Sequence, residues 1–513
     1  MYNFKLDKFG ISVLFISVLF IFRSWIFIFL GNTWLDELGY MYDSWLSVSG
    51  KLLYHDFWVK IGPIMYVLYG KLQLLFGFNL ITGRSISVVI SALLLFSTYL
   101  LVRNLRNKWS GLLAVSLMVS SSFLMYLYSS ATPYALTMLF ILFGLYILTT
   151  NIRTTLKLII STILFSLAVL TRTNMFPLLI VLLIYFLFFY RFRQVMLAGM
   201  AAILTFIFVL MPYLKMDFIA TLQAILGTLI AGIYPIYEIS LNSGKASFFE
   251  NFISISLIIH YNLIYFILLG IILYYFVSKI EFGSLYQQIR MNKTLFLLVI
   301  CTLVSFIVST YGFGGTSKIY WVYSAPLIIS VISIGMSDIY LELNDKLKKL
   351  FIIGIVLMLV LNPAVFDLKD LTNPAKKSDI EQMELIGFEL KKVFGDEPVV
   401  ILGDTLHIAY SGKLNTYSAL THRTYLFVDS SNTELVMKYH FYNLELLETF
   451  IDESSGIIMP GDLRIVEDMY GKDVAELVES NINENFYKIA EYEFGFPKKY
   501  DYENPVVVYH RNK

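Results

Sequence analysis

Apolar runs separated by short polar stretches extend over the first two thirds of the chain. Eleven of these runs are candidates for membrane crossings, although some are shorter than the roughly 20 residues that an upright helix needs. They are residues 11–30, 84–102, 112–125, 134–148, 158–170, 175–190, 195–213, 252–277, 295–311, 319–336 and 350–365. The pattern therefore predicts a polytopic α-helical membrane protein with about 11 transmembrane helices.

The pattern changes after residue 365. Asn362-Pro363 and Asn373-Pro374 interrupt the chain, and ordinary charge density follows. Short apolar segments typical of strands alternate there with helical stretches. The strands are predicted at 398–403, 425–428, 456–459, 487–492 and 505–509, and the helices at 380–393, 433–451 and 465–479. We expect a transmembrane domain over residues 1–365 and a soluble α/β domain over 366–513.

Basic residues mark every second loop, which predicts the orientation of the chain. If the N-terminus is cytoplasmic, each inner loop is basic, as the positive-inside rule requires. The cations are Arg103, Arg106 and Lys108, then Arg153 and Lys157, Arg191 and Arg193, Lys279, Arg290 and Lys293, and Lys346, Lys348 and Lys349. An odd number of crossings then places the C-terminal domain outside the cytoplasm. We expect an integral plasma-membrane protein.

Composition excludes several classes of protein. The chain is 57% hydrophobic and 15% charged, which is too apolar for a soluble protein of 513 residues. A net charge of +1 argues against nucleic-acid binding. Cys301 is the single cysteine, so no disulfide within the chain can form.

The first long polar stretch, Asn32–Pro63, contains adjacent carboxylates at Asp36 and Glu37. A carboxylate beside a membrane span is costly to desolvate and therefore tends to have a function. Apolar residues then recur at helical spacing, at Leu38, Met41, Tyr42, Trp45 and Leu46. The spacing predicts an amphipathic helix lying on the membrane surface and closed near Gly50.

Further charged groups face outward in this topology. They are His55 and Asp56 with Lys60, then Arg84, and Arg172 with Lys318. Carboxylates and cations together at one membrane face suit a reaction that activates a hydroxyl group and expels a phosphate. Each also has a simpler interpretation, since a carboxylate can cap a helix and interfacial cations can reach toward lipid headgroups. Arg23 and His260 lie inside apolar runs, where pairing within the bundle is expected.

Four motifs follow one another along the chain. The opening loop reads WLDELGYMYDSWLSVSGKLLYHDFWVKIGP over 34–63, and Gly83-Arg84-Ser85 follows it. The third motif is Leu167-Ala168-Val169-Leu170-Thr171-Arg172, and the fourth is the stretch 317–326, SKIYWVYSAP. In this order the motifs resemble those of the GT-C membrane glycosyltransferases, of the protein O-mannosyltransferase and lipid A aminoarabinose transferase type. The third is similar to that family's Gly-Leu-Ala-x-Leu-Thr-Arg signature, and the fourth to its Arg-Tyr-x-x-x-x-x-Pro entry into a late span.

The resemblance implies an inverting glycosyltransferase that takes a hexosyl or pentosyl group from a polyprenyl-phosphate carrier. The acceptor would be a hydroxyl of a lipid, glycan or protein on the non-cytoplasmic face. It implies catalytic roles for Asp36 and Glu37, donor-phosphate binding by Arg172, Lys318, Lys60 and Arg84, and acceptor or sugar contacts from His55, Asp56, Glu238 and Tyr40. Few hard ligands are available outside, so we expect neither a metal nor another cofactor.

Two departures from the family pattern keep alternatives open. Many relatives carry a second acid in the loop that here reads Ser-Ser-Ala-Thr-Pro-Tyr over 129–134, and the turn ending at Pro63 has one proline rather than two. A non-catalytic scaffold derived from the enzyme therefore remains an alternative. The main alternative from another class is a polytopic lipid or glycan transporter or flippase, which should show symmetric halves and broken helices.

Overall fold

The structure of this chain is a computed structural model. It describes residues 8–29, 35–57, 59, 61–226, 263–279, 292–311, 321–355, 375–420, 427, 432–438, 441–493 and 505–512. Within these residues the N-terminal part is a bundle of helices, and the C-terminal part combines helices with one sheet. The predicted boundary at residues 365 and 366 lies outside the described residues and stays a prediction.

The bundle contains fourteen labelled helices in the described part of the chain. They are α1 (Lys8–Phe29), α2 (Leu35–Leu46), α3 (Pro63–Phe76), α4 (Leu80–Leu105), α5 (Lys108–Ser120), α6 (Ser122–Ser129), α7 (Tyr134–Thr149), α8 (Thr154–Thr171), α9 (Phe176–Phe189), α10 (Phe192–Met216), α11 (Phe218–Leu226), α12 (Leu263–Lys279), α13 (Lys293–Tyr311) and α14 (Trp321–Glu342). Residues 345–355 are also helical.

Five helices of the described part are long and apolar enough to cross a bilayer by themselves. The first of them begins at Phe9, and the five cover residues 9–29, 80–105, 154–171, 192–216 and 321–342. Shorter apolar helices coincide with the predicted runs at 134–148, 175–190 and 295–311. The chain is therefore an integral membrane protein, as predicted. Parts of the runs at 252–277 and 350–365 lie outside the described residues.

The predicted crossing at 112–125 differs in the structure, because α5 and α6 meet at Ser121 with a bend of 78°. Arg23, buried in α1, donates to the carbonyl oxygen of Val119 and, over 2.5 Å, to the Ser122 hydroxyl. A side chain that inserts where two helices meet takes over backbone groups that an unbroken ladder would pair. Arg23 thus pairs within the bundle, as expected, while His260 lies outside the described residues.

Helix α3 was not predicted as a separate element. Pro63 opens it at a position where a missing amide is harmless. Gly70 brings it against α2, since a Cβ there would lie 2.3 Å from the Ser44 carbonyl oxygen. The close contact means that α2 and α3 form one layer under the C-terminal domain.

The C-terminal part contains the predicted α/β domain. Its helices are α15 (Ala375–Phe394), α16 (Leu406–Gly412), α17 (Thr433–Lys438), α18 (Leu444–Glu453), α19 (Leu463–Tyr470) and α20 (Lys472–Asn485). Its strands are β1 (Val399–Ile401), β2 (Gly456–Pro460), β3 (Phe486–Tyr492) and β4 (Val506–Arg511). The sheet order is β1-β2-β4-β3, with β1 parallel to β2 and the other pairs antiparallel.

Two predicted helices of this domain are each divided in two. The stretch 465–479 breaks at Gly471, whose φ of 96° is accessible to glycine and strained for other residues. The stretch 433–451 contains the separate helices α17 and α18. Four strands agree with the prediction; of the fifth, at 425–428, only Phe427 is described, in a single bridge to Tyr442.

The C-terminal domain covers α2, which corrects the expectation of a helix on the membrane surface. The Tyr42 hydroxyl donates to the Leu414 carbonyl oxygen over 3.0 Å. Tyr410 donates its hydroxyl hydrogen to Gln73 Oε1, and Gln73 Nε2 lies 3.3 Å from Met41 Sδ. Residues 37–44 are all buried. Tyr42 belongs to the apolar face that the amphipathic pattern predicted, so that face packs on the C-terminal domain, which is distant in sequence.

Candidate active site

A buried ion pair joins α2 to α4 at the predicted outer end of the bundle. Arg84 Nε and Nη2 donate to Glu37 Oε1 and Oε2, each over 2.9 Å, in the bidentate geometry of arginine with a carboxylate. Arg84 Nη1 donates to the carbonyl oxygens of Phe27 and Ile28 over 3.2 and 3.1 Å. The side chains of Glu37 and Arg84 are 0% and 1% exposed. Dissolved ions therefore screen the attraction between these two charges only weakly.

The same carboxylate also holds the loop between α6 and α7. The Ala131 backbone N–H donates to Glu37 Oε1 over 2.7 Å, so Oε1 accepts two hydrogen bonds. This is the neutral loop in which many relatives carry a second acid. Glu37, Arg84 and Ala131, here called the α2 clamp, therefore fix α2 against α1, α4 and this loop.

Arg172 approaches α2 from the end of α8. It forms the C-terminal cap of α8 with extended backbone, and its Nη1 donates to the Tyr40 hydroxyl over 3.0 Å. The loop before α3 packs on the same turn, because a Cβ at Gly62 would lie 1.8 Å from the Leu170 carbonyl oxygen. The structure thus brings together two predicted site residues, Tyr40 and Arg172, which are 132 positions apart.

Two further residues of this region escaped the sequence prediction. Asp43 of α2 and Tyr66 of α3 are both buried, and the Tyr40 and Tyr66 rings are 6.2 Å apart. Burial, the largest influence, raises the pKa of Tyr66; Asp43 adds to the increase and Arg172 opposes it. The buried Tyr66 hydroxyl makes no hydrogen bond within the described part of the chain. Asp43 follows Tyr40 by three positions, the spacing of neighbours on one helix face.

His55 and Asp56 form a separate, exposed pair in the loop between α2 and α3. Their Nδ1 and Oδ1 atoms are 2.8 Å apart, and the Leu52 amide donates to Asp56 Oδ2 over 2.6 Å. Partial burial opposes ionisation of Asp56, but the hydrogen bonds from Leu52 and His55 outweigh it and lower the pKa. The Ser418 hydroxyl donates to the Asp56 carbonyl oxygen over 3.5 Å, which links this loop to the C-terminal domain.

The remaining predicted site residues are only partly covered by the structure. Asp36 lies in the first turn of α2, directly before Glu37, and the structure does not describe its side chain. Lys60, Lys318 and Glu238 lie outside the described residues. Among the residues that the structure describes, no three His, Cys, Asp or Glu side chains converge in a metal-binding group. The absence of a metal remains an expectation for the whole chain.

Comparison with known proteins gives one family and several solved structures. The model of the family described as dolichyl-phosphate-mannose-protein mannosyltransferase matches residues 62–215. The chain is similar in structure to ArnT from Cupriavidus metallidurans bound to undecaprenyl phosphate, with 12% identity and a TM-score of 0.59 over 98% of each chain. No curated protein sequence matches the chain.

Two archaeal structures from Archaeoglobus fulgidus are also similar. One is an oligosaccharyltransferase tethered with an acceptor peptide, with 12% identity and a TM-score of 0.50 over 96% of this chain and 75% of that one. The other is AglB in complex with an inhibitory peptide and a dolichol-phosphate, with 11% identity and a TM-score of 0.50 over 97% of this chain and 76% of that one. Together, the family match and these folds confirm that the chain has the GT-C fold and resembles the protein mannosyltransferase family within that superfamily.

Proposed function

We propose that this chain is an inverting membrane glycosyltransferase that moves a sugar from a polyprenyl-phosphate carrier to a hydroxyl group. The α2 clamp is the observation that carries the proposal. In it a buried ion pair fixes the helix whose first turn contains Asp36, at the place where the family resemblance expects the catalytic acid. Similar folds bound to undecaprenyl phosphate and dolichol-phosphate support a carrier of this chemical class.

In the proposed reaction the Asp36 carboxylate accepts the proton of the acceptor hydroxyl. The hydroxyl oxygen attacks the anomeric carbon opposite the phosphate, while the bond from that carbon to the phosphate oxygen breaks. Polyprenyl phosphate leaves with the bonding electrons, and one displacement inverts the configuration. Fixed cations near the departing oxygen stabilise its charge without rearrangement, and Arg172 occupies a suitable position beside Tyr40.

The geometry favours different tasks for the other residues. Glu37 and Arg84 direct their charged atoms at each other and at backbone groups, so we propose positioning roles for both in place of catalysis and phosphate binding. Lys60 and Lys318 remain proposed phosphate ligands. His55, Asp56 and Glu238 remain proposed acceptor or sugar contacts. Tyr40 would orient Arg172, and the ring of Tyr66, whose hydroxyl makes no hydrogen bond to the described residues, lies 6.2 Å from the Tyr40 ring.

The direct experiment supplies purified protein with a panel of polyprenyl-phosphate sugars and measures released polyprenyl phosphate. We expect release with one hexosyl or pentosyl donor, increased by a hydroxyl acceptor. Transfer would take place on the non-cytoplasmic face, given the basic loops at the other end. If no donor yields polyprenyl phosphate while a labelled lipid or glycan crosses vesicles containing the protein, the transporter alternative is correct.

Arg172→Ala is expected to weaken donor binding by about ten- to a hundredfold. A hydrogen bond to a charged group contributes about 1.5–3 kcal/mol, and the variant loses such a partner for the phosphate. The apparent affinity for a polyprenyl-phosphate sugar measures the effect. Tyr40→Phe is the matched control, because it removes the hydroxyl that accepts from Arg172 and keeps the guanidinium. Unchanged donor affinity in Arg172→Ala would remove Arg172 from the phosphate site.

Transfer is expected to survive EDTA and to gain little from added Mg²⁺ or Mn²⁺. A bridging metal needs several oxygen or imidazole ligands, whereas the loop between α6 and α7 offers the Ala131 amide in place of the second acid of relatives. A lipid monophosphate is also compact enough for fixed cations to neutralise. Turnover should be compared before and after chelation. Loss of turnover that one metal restores would point to His55 or Glu238 as ligands.

A further inference from the structure

The hydroxyl of Tyr66 is a buried polar group without a partner beside the candidate active site. Tyr66 is the fourth residue of α3 and is fully buried, and its hydroxyl makes no hydrogen bond in the described part of the chain. Neighbouring buried tyrosines do use theirs: Tyr54 donates to the Ile61 carbonyl oxygen over 2.9 Å, and Tyr69 shares a 2.7 Å hydrogen bond with Ser87. Because a buried hydroxyl without a partner lowers stability, its presence at Tyr66 points to a ligand.

Packing on two sides fixes the position of Tyr66. The turn before it is held against α8, because a Cβ at Gly62 would lie 1.8 Å from the Leu170 carbonyl oxygen. On the side of α2, the Ser47 hydroxyl donates to the Tyr66 carbonyl oxygen over 3.3 Å, and α3 packs closely at Gly70. The phenol is therefore held in place before a ligand arrives, which is what a preorganised hydrogen-bond donor requires.

The ring of Tyr66 lies next to a predicted phosphate ligand. Its centroid is 6.2 Å from that of Tyr40, and the Tyr40 hydroxyl accepts from Arg172 Nη1 over 3.0 Å. Burial raises the pKa of Tyr66 and Arg172 opposes the increase, so the hydroxyl keeps its hydrogen and can donate it. A hydroxyl donor near a guanidinium suits an anionic oxygen as the acceptor.

We propose that the Tyr66 hydroxyl donates a hydrogen bond to a phosphate oxygen of the polyprenyl-phosphate sugar, next to Arg172. The contact rests on the proposed function, since it requires that donor to bind at Arg172. Bound phosphate supplies the partner that the buried hydroxyl lacks. During transfer the departing phosphate gains negative charge, so a donor that is already in place stabilises it further. Tyr66 is thus a donor-binding residue that adds no second cation.

Tyr66→Phe tests the contact, because it removes only the hydroxyl and keeps the ring beside Tyr40. We expect the affinity of the full chain in detergent for undecaprenyl phosphate to fall at least about tenfold, as loss of a hydrogen bond to a charged group predicts. The free energy of unfolding without ligand should stay the same or rise, because no hydroxyl is then buried without a partner. Lower stability with unchanged affinity would show a structural role and overturn the proposal.

Tyr69→Phe is the matched control on the same helix. Its hydroxyl has Ser87 as a partner, so its removal should lower the free energy of unfolding and leave the affinity for undecaprenyl phosphate unchanged. An equal loss of affinity in the two variants overturns the proposal, since the effect would then come from α3 as a whole.

The same binding measurements distinguish failure of this contact from failure of the proposed function. If the unmodified chain does not bind undecaprenyl phosphate, both are wrong. If Arg172→Ala weakens binding and Tyr66→Phe does not, the phosphate site stands and only the Tyr66 contact is wrong. If Tyr66→Phe weakens binding of the sugar-bearing carrier alone, its hydroxyl contacts the sugar, and the phosphate contact is again overturned.

Discussion

Arg84→Met is expected to lower the free energy of unfolding by about 3–5 kcal/mol and to abolish transfer. Breaking a buried ion pair by removing one partner leaves the other charge without compensation, which costs this much in proteins. Here the orphaned group is Glu37, which is fully buried and keeps the Ala131 amide as its remaining partner within the α2 clamp. The carbonyl oxygens of Phe27 and Ile28 also lose their donor.

A double variant separates stability from function. Glu37→Leu combined with Arg84→Met removes both charges, so we expect it to recover much of the lost stability, because an apolar pair often replaces a buried ion pair at little cost. Transfer should stay low, since the Ala131 loop is no longer held. Denaturant unfolding in detergent and donor turnover measure the two effects.

The control for these variants is a salt bridge on the solvent-exposed surface of the protein. Lys472 and Glu476 lie on the exposed surface of α20 with their charged atoms 2.9 Å apart. Lys472→Met should leave both unfolding and turnover unchanged, because exposed pairs contribute little. If the single and double variants at the clamp lose equal stability, the pairing of Glu37 with Arg84 is not what stabilises α2.

The sequence predicted the long apolar helices. It missed the features that depend on contacts with elements distant in the chain. Helices α1, α4 and α10 follow apolar runs whose length alone marks them as spans. Helix α3 was missed because Lys71 and Gln73 interrupt its apolar run. The polar side chain of Gln73 is accommodated there by a hydrogen bond from Tyr410 of the C-terminal domain. Likewise, an apolar run over 112–125 does not show that a buried arginine in α1 will stabilise a bend within it.

The sequence identified several residues of the candidate site, but it did not show which of them contact each other. Glu37 and Arg84 were both selected, yet they are 47 positions apart and nothing local joins them. The motif around Arg172 likewise gave no sign of a contact with Tyr40. Asp43 was overlooked because it reads as part of the polar face of α2, and nothing local in the sequence shows that it is buried near Tyr66 of α3.

Asp36→Asn is expected to lower turnover by at least about 10²-fold while donor affinity stays the same. Asparagine has the size of aspartate but cannot accept a proton, and general base catalysis contributes about 10²–10⁴-fold. A loss confined to kcat identifies an interaction that matters in the transition state rather than in binding. Because the α2 clamp holds the neighbouring turn through Glu37, the helix should keep its place in this variant.

Asp473→Asn provides the matched substitution on the exposed surface of α20, and it should leave kcat and KM unchanged. The Asp36 variant should also unfold at the same denaturant concentration as the unmodified chain, which separates it from Arg84→Met. Full activity of Asp36→Asn would exclude it as the base. Asp43, which is buried on the same helix as Asp36 and near Tyr66 of α3, would then be the next carboxylate to replace. A drop in stability equal to that of Arg84→Met would instead assign Asp36 to the support of α2.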